Sequence, residues 1–414
     1  MKIAIVSNLY RPYSRGGAEI IARRVALELH HRGHKVFVVS TRPFDGIGTL
    51  HEHRDDRDIL RMYRFYPFNC YHMLSDFSVP FFVRAAWHLL DLWSPHPKRV
   101  LDRIFKREQP DVVLTHNMKG FGMQALKAVA NSEALHIHTL HDVQLSVPSG
   151  LLLAGQEQAF LNTSFLRSWY EKQVQKIVAS PKVVISPSKF LADFYQQRGF
   201  FPASDLRVIP NPAPDIDVHP KPQKADKKLH LLFVGQLERH KGILMLLDIV
   251  NRMGDDVMLH IAGEGSMQDY VQTRAKLDKR IHYHGFIPFE HLVHMFDLCD
   301  VTLVPSLCYE NSPTVIYESF QAGVPVIASN IGGVGELVKD GENGYLITPG
   351  DADALRKAIE KMRVNLQGFH AKSEDLQREM KKLSLRRYVN QLEEIMEQKV
   401  QKKAEMSSFQ QGGE

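Results

Sequence analysis

Leu229-His230-Leu231-Leu232-Phe233-Val234-Gly235 restarts, in the middle of the chain, the pattern with which it opens at Ile3-Ala4-Ile5-Val6-Ser7. Both runs are continuously apolar, and both lead through a glycine-bearing loop into an amphipathic helix. A continuous apolar run marks a strand buried on both faces, and such strands belong to parallel sheets covered by helices on either side. Two starts of this kind predict two doubly wound α/β units in tandem.

Outward from the first start, a helix is expected from about Ala18 to His31, apolar at Ile20, Ile21, Val25, Ala26 and Leu29 and stopped by Gly33. Strands follow at Lys35–Ser40, Asp111–Leu114, His136–Leu140 and Lys182–Ser186. From the second start, a helix begins at Ile243, with strands at Val257–Ala262, Ile281–His284, Val301–Val304 and Val324–Ala328. Residues 211–228 hold four prolines and four lysines, the composition of a linker and hinge. The expected organisation is a first Rossmann-like domain over 1–205, a linker over 206–228 and a second domain over 229–384. A polar-rich helix over 385–404, apolar at Leu385, Val389, Leu392, Ile395 and Met396, is expected to pack back toward the first domain, with 405–414 as a tail. Ligands of open parallel sheets sit beyond the carboxyl ends of the strands. Two such edges facing a central cleft would hold two substrates.

The bulk numbers agree with a folded chain too long for one core: 414 residues, 44% hydrophobic and 24% charged. A net charge of +5 permits an anionic partner such as a nucleotide, a lipid phosphate or a membrane surface, and nothing calls for nucleic acid. Cys70, Cys299 and Cys308 are scattered without metal-ligand spacing, as reduced thiols in a reducing compartment would be. The apolar run at the N-terminus is shorter than the roughly 7–15 residues of a signal peptide, and no segment approaches the roughly 18 of a spanning helix. A cytoplasmic protein is expected.

Glu310 and Glu318 lie eight residues apart, separated by Asn311-Ser312-Pro313-Thr314. Polar capping residues and an early proline read as a helix start, whose free N–H groups and positive end favour a diphosphate. Glu310 before the helix and Glu318 on its second turn would border one ligand; the plainer reading is two surface glutamates. Lys241, at a strand's carboxyl edge before Gly242, would neutralise phosphate or simply face solvent. Gly16-Gly17 is a flexible turn or a pair of amides able to approach a phosphate closely. His116 and His141-Asp142 follow strand ends in the first domain. No Asp-x-Asp lies at a strand end, so neither a metal nor another cofactor is expected.

Glu310-x7-Glu318 followed by Gln321-Ala322-Gly323-Val324-Pro325-Val326-Ile327-Ala328-Ser329 resembles the signature of family-four retaining glycosyltransferases of the GT-B fold. Gly16-Gly17-Ala18-Glu19, Pro210-Asn211, Phe233 to Gly242, Ala262-Gly263-Glu264-Gly265, His284-Gly285-Phe286-Ile287, Ile331-Gly332-Gly333 to Glu336 and Asn343-Gly344-Tyr345-Leu346 resemble further segments of that family in the same order. The resemblance implies that Glu310 contacts the donor sugar, Glu318 the ribose and Lys241 the diphosphate. Amides of Asn311, Ser312, Thr314, Gly16 and Gly17 would cradle phosphate oxygens. Gln236 and Gly263 would belong to the donor site, and the loop at Phe286 would lie near the base. His116 would touch the donor sugar and the transferred centre, acting there with Glu310 and Lys241, while His141 and Asp142 would stand on the acceptor side. Gln236 departs from the arginine that many relatives carry; Arg239 either compensates or points to solvent.

The implied activity is metal-independent, retaining transfer of a sugar from a nucleotide-diphosphate donor to a hydroxyl of a polysaccharide or lipid-linked glycan. A UDP-sugar is favoured over GDP- or ADP-sugars. The rivals are a nucleotide-sugar 2-epimerase on the same fold and a non-catalytic nucleotide-binding scaffold. Residues 63–93 interleave aromatics with Arg61, Arg64, Arg84 and His88. They are read first as an insertion packing its own rings, and otherwise as a surface meeting a membrane or lipid-linked acceptor at the inner face of the membrane.

Overall fold

The computed structural model describes all residues except 15, 57, 159–163, 216–226 and 412–414, and for 76–78, 81, 289, 290 and 402–411 it describes the backbone alone. The chain forms two compact units. The first comprises Met1–Gly150, Phe160–Asn211 and Leu385–Glu414, and the second Leu151–Ala159 and Pro212–Ser384.

The sheet of the first unit has strands β1 Lys2–Val6, β2 Lys35–Thr41, β3 His53–Asp55, β4 Arg61–Phe65, β5 Val112–Thr115, β6 Leu135–Thr139, β7 Val183–Ser186 and β8 Asp205–Val208. They are ordered β3-β4-β2-β1-β5-β6-β7-β8, and all pairings are parallel except that of β3 with β4. The chain winds outward from β1 in one direction and from β5 in the other, so the order reverses between β1 and β5. Ligand crevices of doubly wound sheets open at such a reversal. In the helix Gly17–His31, residues Ile21, Ala22, Val25, Ala26 and Leu29 are buried on the sheet, while Ile20 is exposed.

Strands β9 Leu229–Val234, β10 Val257–Ala262, β11 Ile281–Tyr283, β12 Val301–Val304, β13 Val326–Ser329 and β14 Gly344–Ile347 make the second sheet. Its order is β11-β10-β9-β12-β13-β14, parallel throughout, with the reversal between β9 and β12.

Several boundaries differ from the sequence reading. Residues 205–208 are an edge strand rather than the start of a linker; four residues with one paired side are too short to show a period. Of the hinge expected over 211–228, residues 216–226 lie outside the described residues. The strand expected from Val324 begins at Val326, after Pro325, which has no N–H to give to a ladder. The C-terminal helix runs Leu385–Gln411 rather than stopping at 404, because Ser407 and Ser408 do not break a helix already propagating through good formers. Its Tyr388, Val389, Leu392, Ile395 and Met396 join the core of the first unit. Arg32 and His34 both bond Glu393, at 2.6 and 2.9 Å. Residues 151–159, assigned from sequence to the first domain, belong to the second unit.

Of the aromatics between 63 and 93, Tyr63, Phe65, Tyr66 and Trp87 are buried, whereas Phe68, Phe82 and Trp93 are exposed. Tyr63 donates to Glu108, which also pairs with Lys2 at 2.8 Å and with Arg61 at 3.1 Å. Burial opposes the Glu108 charge, but these partners hold its carboxyl down at about 2.

Asp91 lies beneath the loop that follows β5, where its Oδ1 accepts the Gly120 N–H at 3.0 Å. Burial pushes its carboxyl up to about 7, against the backbone bond from Gly120. A raised carboxyl means that the folded state holds a proton which the unfolded chain releases near 4, so the charge costs progressively more stability as pH rises between those values. Asp91→Asn keeps an acceptor oxygen without the charge. Its gain in melting temperature over the wild type should grow from pH 4 to 7 and level off above. A gain independent of pH would show that folding does not raise the Asp91 carboxyl.

Candidate active site

The loops that leave β9 and β12 meet at the reversal of the second sheet. Gly242, at φ +78°, ends the turn Arg239–Lys241, and a Cβ there would stand 2.0 Å from the Pro305 carbonyl oxygen, so only glycine permits this approach. The Leu307 N–H donates to the His240 carbonyl at 2.8 Å, tying the two loops together. Lys241 Nζ thereby reaches Glu310 Oε1 at 2.6 Å, with the side chains 25% and 13% exposed. Ser306 Oγ donates to the same oxygen at 2.7 Å, and the Cys308 sulfur stands 3.9 Å from it. Burial works against both charges, but the attraction between them prevails: the Lys241 ammonium is held above its ordinary range and the Glu310 carboxyl below. Burial pushes the neighbouring Cys308 thiol up to about 12, so it stays protonated.

The backbone of Glu310 is fixed from the other side. Its carbonyl accepts the Gly333 N–H at 2.7 Å, and a Cβ on Gly332, at φ +65°, would lie 2.1 Å from that oxygen. Glu318 is buried on the second turn of the helix Thr314–Gln321. This helix begins later than the sequence suggested. Pro313 occupies the N-cap position, no side chain caps it, and Ser312 Oγ pairs instead with the Tyr317 hydroxyl at 2.7 Å. The positive end of the helix dipole is left without a capping side chain beside Asn311, Ser312 and Thr314.

The loops after β9, β10 and β11 interlock through backbone bonds from Gly235 to Ala262, Leu237 to Glu264 and Gly263 to Gly285. Gly263 is irreplaceable in the same sense as Gly242, since its Cβ would fall 1.9 Å from the Gly235 oxygen. Gln236 is half-buried in this set, Arg239 is exposed to solvent, and Phe286 is 67% exposed.

In the first unit, His116 follows β5 at the sheet reversal, and its N–H donates to the Val6 carbonyl at 2.9 Å. Its Nδ1 lies 2.9 Å from His141 Nε2, with the rings stacked. The His116 Nε2 is buried with no hydrogen-bond partner. Burial lowers His116 to about 4 and His141 well below its ordinary value, so both imidazoles are neutral at pH 7. Asp142 is pushed up to about 6 by burial, although the Gln144 N–H donates to its Oδ1 at 2.8 Å. The Gly16 amide, expected to be open to a phosphate, donates to Glu19 Oε2 at 2.7 Å, while Gly17 opens the helix. A glycine N-cap has no side chain to offer, and a glutamate three residues on supplies the missing acceptor. Thus the structure brings Lys241 and Glu310 together in one unit and His116 and His141 in the other. Sequence reasoning missed Ser306 and Cys308, whose only signal is nearness to Glu310. Among the described residues, no group of three or more His, Cys, Asp or Glu could hold a metal ion.

Residues 15–215 match the model of Glycosyltransferase Family 4, and residues 215–382 match that of Glycosyl transferases group 1. The chain belongs to the group 1 glycosyltransferases, and its two Rossmann-like domains are those of the GT-B fold. It is similar to an uncharacterized 42.6 kDa protein in the cps region of Klebsiella pneumoniae, at 25% identity over 84% of this chain and 90% of that one. It is also similar to lipopolysaccharide 1,2-N-acetylglucosaminetransferase of Salmonella typhimurium, at 24% identity over 68% and 72% of the two chains. The fold matches that of Anabaena HepE, solved in complex with UDP-glucose, with a TM-score of 0.67 at 20% identity over 96% of this chain and 100% of that one.

The geometry of Lys241 and Glu310 has a consequence for stability. Removing one member of a poorly hydrated pair strands the charge of the other, so single losses cost more than the pair is worth. Lys241→Met and Glu310→Gln should each destabilise, and the double variant should lose less than the two together. Chemical denaturation of the four proteins should give a coupling of about 0.5–3 kcal/mol; additive losses would mean that the pair does not form in solution.

Proposed function

We propose that this glycosyltransferase moves a sugar, with retention and without a metal, from a nucleotide-diphosphate donor to a hydroxyl of a polysaccharide or lipid-linked glycan. UDP is the favoured nucleotide. The observation that carries the reading is the Lys241–Glu310 pair at the reversal of the second sheet, beside the helix Thr314–Gln321 with its uncapped N-terminus. An ammonium and a helix dipole are the elements that stabilise a leaving diphosphate. In the transfer, the acceptor oxygen bonds to the anomeric carbon as the bond from that carbon to the diphosphate breaks on the same face, and the hydroxyl proton passes to an oxygen of the departing diphosphate. The protein's part is to orient the reactants and stabilise the leaving charge. Glu310 would hold the sugar hydroxyls, Glu318 the ribose, and neutral His116, with its Nε2 unpartnered, would face the transferred centre. His141 and Asp142 would serve the acceptor. Asn311, Ser312, Thr314 and Gly17 would lend backbone amides, while Gln236, Gly263 and Phe286 would border the nucleotide. The UDP-glucose found in Anabaena HepE supports the choice of base, and the Salmonella lipopolysaccharide transferase supports a glycan acceptor.

Donor-dependent release of UDP in the presence of acceptor tests the reading. Glu310→Ala, Lys241→Ala and His116→Ala should each lower the rate, with about a hundredfold loss or more for Lys241→Ala. Unchanged release in all three would refute the assignment. An epimerised sugar nucleotide formed without acceptor would support the epimerase instead, and tight nucleotide binding without turnover would support a scaffold.

We further propose peripheral contact with an anionic membrane through the first unit. On the helix Phe81–Trp93, the residues Phe82, Ala85, Ala86, Leu89 and Trp93 make one exposed face, with Phe82 72% exposed. Trp93 packs edge-on against Trp169 at 5.1 Å, which joins this face to the helix Phe165–Val178, whose Phe165 is 80% exposed. Arg84, Lys172 and Lys176 are exposed on the same two helices. Exposed rings flanked by cations suit the boundary between anionic headgroups and acyl chains. Among the described residues no helix is long and apolar enough to cross a membrane. Sedimentation with vesicles containing anionic lipid should pull down the protein, and Phe82→Ser with Trp93→Ser should release it. Equal recovery with and without vesicles would remove the proposal.

A further inference from the structure

The loop that carries Glu310 is anchored at His240 along one edge, and its other edge is filled by a segment from far earlier in the chain. Leu153 forms an antiparallel bridge with Cys308. The Ala154 N–H donates to the Leu307 carbonyl at 2.8 Å, and the Tyr309 N–H donates to the Leu152 carbonyl at 2.9 Å. The segment then turns back on itself at Gly155, which has φ +73°, and the Gln156 N–H donates to the Leu153 carbonyl at 3.1 Å. Glu157 closes the arrangement: its Oε1 accepts the Gly155 N–H at 3.0 Å and the Tyr309 hydroxyl at 2.9 Å. The Glu157 carboxyl is held below its ordinary range by these backbone and side-chain bonds, and Tyr309 is pushed up to about 12 by burial and by its bond to Glu157.

We propose that Leu152–Glu157 is a strap that sets the position of Glu310, with Tyr309 and Glu157 as positioning residues for the donor sugar; the sugar part rests on reading Glu310 as its contact. The loop between β12 and the helix at Thr314 has no ladder of its own. Its side chains alternate across the bridge: Cys308 is buried next to the Glu310 carboxylate, while Tyr309 reaches Glu157. A loop paired on both edges opens less often than a loop paired on one. Holding Glu310 in place before the donor arrives also removes an ordering cost from sugar binding. Loss of the Tyr309–Glu157 tie should therefore weaken recognition of the sugar rather than of the nucleotide.

The test compares wild type with Tyr309→Phe and Glu157→Ala, which remove the tie; with Glu157→Gln, which keeps an acceptor oxygen; and with Ala154→Pro, which deletes a bridging N–H. Hydrogen exchange is read on peptides covering 306–311, and calorimetry compares UDP with UDP-glucose. Tyr309→Phe, Glu157→Ala and Ala154→Pro should speed exchange at 306–311 and reduce the preference for UDP-glucose over UDP about three- to tenfold, the range one net hydrogen bond gives. Glu157→Gln should restore both. Wild-type exchange at 306–311 in Tyr309→Phe and Glu157→Ala overturns the strap, and that arm alone decides if Ala154→Pro does not fold. Faster exchange with an unchanged preference overturns the positioning role. If the wild type binds neither probe, the donor reading fails while the exchange arm still decides whether the strap holds the loop.

Discussion

The second unit is organised around an ammonium and a carboxylate held together away from most of the solvent. Lys241 and Glu310 come from loops on opposite sides of the sheet reversal, and their 2.6 Å contact requires those loops to approach more closely than any side chain at Gly242 would allow. Bringing two charges out of water is unfavourable unless both are paired and further bonded. Ser306 supplies the extra bond to the Glu310 carboxylate, and the Gly333 N–H holds the Glu310 backbone in place. An arriving diphosphate would compete with Glu310 for Lys241. On the proposed reading, the freed carboxylate turns to sugar hydroxyls, so one pair serves both ends of the donor.

The first unit places a different chemistry at its own reversal. Two stacked imidazoles, His116 and His141, are kept neutral by burial, and the nearby Asp142 is shifted toward its protonated form. At the two sheet reversals, the second unit presents an ion pair and the first presents neutral imidazoles. That division suits a reaction in which the leaving group is an anion and the acceptor a neutral hydroxyl.

Much of the fold was legible because it rests on local pattern. Strands buried on both faces announce themselves as apolar runs, Gly235 and Gly263 mark where two of those runs turn, and Gly33 marks where the first helix stops. The C-terminal helix declared its apolar stripe, Val389 to Met396, although not how far past 404 it would run. Strands β3, β4 and β8 were missed because they are short and partly polar, with charged residues such as Arg61, Arg64 and Asp205 within them, and the four-residue β14, Gly344–Ile347, was missed as well. At the candidate site, strand ends together with the family resemblance pointed to Lys241, Glu310 and His116 as candidates. The occupation of the Gly16 amide by Glu19 and the ties from Ser306 and Glu157 are consequences of folding. The bond between Tyr309 and Glu157 spans 152 residues of sequence, a separation across which periodicity carries no information.

Gln236 is the sharpest departure from the resemblance, and the structure narrows its meaning. An amide there can donate to phosphate but brings no positive charge to neutralise it. Arg239, the nearest substitute in sequence, is exposed, whereas Lys241 in the same turn points inward to Glu310. On the proposed reading, neutralisation of the diphosphate then falls to Lys241 and to the helix dipole at Thr314. The dipole depends on an uncapped end, and Ser312 leaves it uncapped by pairing with Tyr317. A side chain folded over the Thr314 amide would compete with a diphosphate there, whereas on the proposed reading Ser312, bonded to Tyr317, leaves that amide to the leaving group.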